Sequence, residues 1–146
     1  EEEAWAVAQK IYDSIDPDDV ARAQAGLKTS QSVGQRRMSE IHGRGSGFVP
    51  GGDARALEFS PGLWSGIGLL RGGAGTALVG SHDQVAATID AFRQSGIRHF
   101  ILSGYPHLEE SFQVGEGTVP ALQRRGVTVT NHEAPVGAED SVRNSA

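Results

Sequence analysis

Residues 81–122 constrain this chain most, because they spell helix, buried strand and helix in immediate succession. Ser81-His82-Asp83-Gln84 fits a capping box, in which a serine hydroxyl takes an exposed backbone N–H while Gln84 reaches back to the cap residue. Val85, Ile89 and Phe92 then form the inward stripe of a helix, and Gly96 sits where a left-handed residue ends it. Phe100, Ile101 and Leu102 follow as an apolar run without alternation, the pattern of a strand buried on both faces, and Ser103-Gly104 breaks it. Beyond the break, Leu108, Phe112, Val119 and Leu122 recur at spacings of four, seven and three, one stripe of a second helix. This is α/β order, and in α/β folds the loops at strand C-terminal ends carry the chemistry. Tyr105, just past the apolar run, is the polar aromatic best placed to take part.

Upstream, Trp5, Ala8, Ile11, Tyr12 and Ile15 lie on one helical stripe, with Glu1, Glu2 and Glu3 where the helix dipole favours negative charge. The chain thus opens on a helix with no strand before it, as though an upstream strand were missing. Asp16-Pro17 predicts a second helix start, with Asp16 as cap and Val20, Ala23 and Leu27 facing inward. From residue 28 to 62 periodicity fades and Gly, Ser, Arg and Asp accumulate, most densely over 43–54, which predicts a long mobile loop with one helical turn around 35–41. Residues 57–80 are apolar but punctuated by glycines, consistent with an extended segment bent at Arg71-Gly72-Gly73-Ala74-Gly75. After Gly126, Val127-Thr128-Val129-Thr130 alternates, and residues 127–146 read as a polar, frayed tail.

At 146 residues the chain can build one core, but a complete eight-stranded β/α barrel needs about 250 residues. A formal net charge of -5 with scattered Lys and Arg argues against nucleic acid or a membrane surface as the main partner and for a small soluble one. With no cysteine, the sequence encodes neither a disulfide framework nor a thiolate metal site nor a cysteine nucleophile. No signal peptide or membrane-spanning run is visible, so a cytoplasmic location is the default expectation.

The glycines around Arg71 invite comparison with a phosphate-cradling loop, because backbone N–H groups freed of side chains can hold an anion. Gly66-Ile67-Gly68 lacks the third glycine at its required spacing, and no Gly-Lys-Ser/Thr follows, so a hinge is the better reading. Arg71 itself is open between a surface arginine and a clamp for sulfonate, phosphate or carboxylate, whose paired oxygens its planar fork matches. His42, His82, His99, His107 and His132 show no zinc-site spacing, which predicts no metal. His107 and the Glu109-Glu110 pair fit a helix start, with proton transfer as the alternative. Tyr105 is open between a phenol satisfied by a backbone partner and a site residue.

Two longer segments carry a resemblance. Phe100-Ile101-Leu102-Ser103-Gly104-Tyr105-Pro106-His107-Leu108-Glu109-Glu110, preceded by Leu70-Arg71-Gly72-Gly73-Ala74-Gly75-Thr76-Ala77-Leu78-Val79-Gly80, resembles the C-terminal portion of FMNH2-dependent alkanesulfonate monooxygenases. These belong to the bacterial-luciferase-like flavin monooxygenases. Glu3-Ala4-Trp5, Ser32-Val33-Gly34-Gln35 and Ser60-Pro61-Gly62-Leu63-Trp64 also resemble family segments, so the likeness runs to about Leu122, with 43–54 as a local insertion.

The resemblance implies the C-terminal part of a (β/α)8 barrel, incomplete in this chain: residues 1–80 as helices and a mobile insertion, 81–126 as the last helix, strand and helix, and 127–146 as a tail. It implies reduced FMN as cofactor, an alkanesulfonate and dioxygen as substrates, an NAD(P)H:FMN reductase as partner and a homo-oligomeric full-length protein. Arg71 matches an arginine of the mobile segment that closes over flavin and substrate, and Tyr105 matches an active-site tyrosine. The family's remaining active-site residues, an Arg/His pair, a cysteine and a tryptophan, have no counterpart here, which implies a fragment, a truncated product or one part of a split protein.

Overall fold

The computed structural model describes residues 1–18, 20–22, 33, 40, 48–70 and 75–130. Helix α1 (Glu2–Asp13) carries the predicted stripe: Trp5, Ala8 and Tyr12 are buried, and Ile15 joins them just past its end. The Asp16 carboxylate accepts the Asp18 N–H at 2.8 Å, opening the next helical stretch at residue 17 as the Asp-Pro signal predicts. Val20 is buried, whereas Ala23 and Leu27 lie outside the described residues.

Part of the expected loop is firmly held. The Tyr12 hydroxyl donates to the Val49 carbonyl at 2.7 Å and accepts the Val49 N–H at 3.0 Å, and its ring packs 5.0 Å from that of Phe48. Gln9 donates to the Gly52 carbonyl at 2.9 Å and accepts the Ala54 N–H at 2.8 Å. Residues 48–54 are thus tied to α1 by side chains more than thirty positions away, partners that no local pattern in the sequence announces. Residues 43–47 and most of the turn expected over 35–41 lie outside the described residues.

After a 3-10 turn (Ala54–Leu57), the segment expected to be extended over 57–80 folds as strand β1 (Glu58–Ser60), strand β2 (Leu63–Trp64), a short helix α2 (Ile67–Leu70) and strand β3 (Ala77–Leu78). The sheet order is β1-β2-β3, both pairings antiparallel, with Leu63 opposite Leu78 and Trp64 opposite Ala77. Gly62 turns the chain between β1 and β2 at φ +70°, where a side chain is strained, and its N–H donates to the Glu58 carboxylate at 2.7 Å. Trp64 anchors the first core: it is fully buried among Tyr12, Ala54 and Leu57, and its Nε1 donates to the Ala54 carbonyl at 2.8 Å.

A second core lies between α3 (His82–Gln94) and α5 (Val119–Arg124), where Ala86, Ile89, Ala121 and Leu122 are buried. Leu78, Val85, Val127 and Val129 pack around them, so the Val-Thr alternation after Gly126 is read out as inward valines. Helix α4 (His107–Gln113) reaches α5 through one π-helical turn, Val114–Thr118. Pro120 supplies a cause: it has no N–H for the Glu116 carbonyl four residues back, and the Val119 N–H donates instead to Val114, five residues back. The described residues therefore form a mixed helix-and-sheet structure with two small cores.

Candidate functional site

The candidate site is the path from α3 through 97–104 to α4. Its beginning forms as the sequence predicts: the Ser81 hydroxyl accepts the Gln84 N–H at 3.3 Å while Gln84 accepts the Ser81 N–H at 2.8 Å. Its end closes on Gly96 at φ +101°, with the Gly96 N–H donating to Arg93 and the Ile97 N–H to Phe92, the paired bonds of a Schellman motif.

Near that end Asp90 is buried at the centre of an ionic cluster that the sequence reading missed. Its carboxylate accepts from Arg93 Nε at 2.8 Å and Gln94 Nε2 at 2.9 Å, with Arg125 Nε at 4.0 Å. The Arg93 hydrogen bond holds the carboxyl below its ordinary value; burial opposes this, and Gln94 and the arginine charges add to it. The i, i+3 and i, i+4 spacing to Arg93 and Gln94 was the available signal, and Arg125 from α5's end ties the two helices of the second core.

The apolar run that follows departs from expectation. Residues 97–104 form no strand, and Phe100, Ile101 and Leu102 are exposed, Ile101 at 99%. A strand apolar on both faces is stable only between neighbouring strands and beneath covering helices. None of the described strands pairs with this run, since β3 pairs only with β2. The expected stripe of the following helix also divides: Leu122 is buried, but Leu108 and Phe112 are exposed, because the π turn shifts the phase of the helix between them and α4 buries none of its residues.

Tyr105 ends this run immediately before α4, 47% exposed, and its peptide bond to Pro106 is cis. Gly104 lies against Glu110 so closely that a Cβ would overlap that side chain, which folds the corner onto the first turn of α4. The Tyr105 hydroxyl makes no hydrogen bond among the described residues, so of its two readings the backbone-satisfied phenol finds no support there. A free phenol can donate one hydrogen bond to an arriving oxygen and accept another. Arg71, its expected counterpart, lies outside the described residues, as do His42 and His132. His99 and His107 are exposed, and His82 packs its ring against Gly117 of the π turn. No cluster of three or more His, Asp or Glu able to hold a metal occurs among the described residues.

Two cavities bear on a cofactor. One, about 300 Å³, lies over Glu58, Phe59, Ser60 and Pro61; the other, about 250 Å³, opens between Trp5, Glu58, Gly62, Leu78 and Gln84. Tyr105 lines neither of these two. No helix among them is long and apolar enough to cross a membrane. No family model matches the chain.

Proposed function

We propose that this chain is the C-terminal part of a luciferase-like flavin monooxygenase, a (β/α)8 barrel whose other walls come from residues beyond these 146, acting in the cytoplasm as a homo-oligomer. The reaction is desulfonation of an alkanesulfonate to aldehyde and sulfite. Reduced FMN, delivered by an NAD(P)H:FMN reductase, is the cofactor this reading requires; it would supply the two electrons with which one oxygen atom of dioxygen goes to the carbon bearing the sulfonate and the other to water. The observation that carries the proposal is Tyr105: a half-exposed phenol without a partner among the described residues, at the end of the very run that bears the resemblance. In this reading Tyr105 donates a hydrogen bond to the substrate or to the flavin's reacting edge, and Arg71 grips an anionic group as its glycine-rich segment closes.

The test is sulfite release from octanesulfonate with reduced FMN by the full-length enzyme. Tyr105→Phe is expected to lower kcat/KM about tenfold, the value of one hydrogen bond near 1.4 kcal/mol. Arg71→Ala is expected to raise KM by a similar or larger factor, because a charge-assisted contact is stronger. Unchanged turnover in both variants would remove their roles, and absence of sulfite from the unaltered enzyme would remove the reaction while leaving a related luciferase-like oxygenation of another substrate.

One observation favours a second reading, a non-catalytic subunit-association domain. Phe100, Ile101, Leu102, Leu108 and Phe112 are exposed close together in sequence, an apolar surface of the kind that associates with another chain. Size-exclusion chromatography of residues 1–146 separates the two. A concentration-dependent oligomer without flavin supports association, and a compact monomer that binds reduced FMN opposes it.

A further inference from the structure

We draw no further inference here: the strongest candidate, the exposed apolar run of residues 97–112 between α3 and the π turn, carries nothing beyond the readings above because nothing in the structure shows what covers it.

Discussion

Asp90 is the residue at which chemistry and stability meet most directly in the second core. Its folded-state carboxyl titrates below the ordinary value of 3.8, so its contribution to stability is fully present above that value and is lost as pH falls through the lower, folded one. Asp90→Asn is therefore expected to be destabilising near neutral pH, with the gap to the unaltered protein narrowing below pH 3.8, as read from urea unfolding across pH. A gap independent of pH would mean that the arginines contribute nothing to holding the carboxylate charged. In the first core, Trp64→Ala removes a fully buried ring and leaves the Ala54 carbonyl without its donor, a loss of about 3–5 kcal/mol seen as a lowered unfolding midpoint. Residues of this kind differ in how legible they are. Trp5, Ala8 and Tyr12 declare themselves by helical spacing, whereas the grip of Gln9 on Gly52 and Ala54 depends on a chain reversal that no local pattern records.

The elements sort by whether their stabilising partners are local. Helix α3 is set by Ser81, Gln84 and Gly96, all within its own sequence, and both its ends form as the pattern dictates. Ser81→Ala is expected to cost about 1 kcal/mol, and Gly96→Ala about 1 kcal/mol or more because alanine at φ +101° is strained; thermal unfolding of each variant measures both. Equal stability of Ser81→Ala and the parent would show the cap to be idle. The strands are different, since a strand is completed by its neighbours. Glycines and apolar residues over 57–80 predicted an extended stretch without announcing the antiparallel pairing of β2 with both β1 and β3. The run at 100–102 has the composition of an inner strand and no neighbour to make it one. The π turn is a third case, because Pro120 and its glycine-rich approach were visible while their effect on the phase of the Leu108 stripe was not.

At the scale of the whole molecule, the two cores formed by the described residues leave the apolar run over 100–102 outside them. α1 and β2 close the first core and α3 and α5 the second, while the path to Tyr105 exposes its largest apolar side chains to solvent. Exposure of that kind in an apolar run that no described strand pairs with is what an inner barrel strand would show without its neighbours, and this is the premise on which Tyr105 becomes a rim residue. Salt bridges such as Arg124–Asp83 are largely exposed and contribute little to holding this arrangement. Hydrogen exchange of the amides of residues 98–102 tests the premise most directly, comparing residues 1–146 in isolation with the longer protein that the proposal requires. Fast exchange in the isolated chain and strong protection in the longer protein is the predicted result, and fast exchange in both would contradict it.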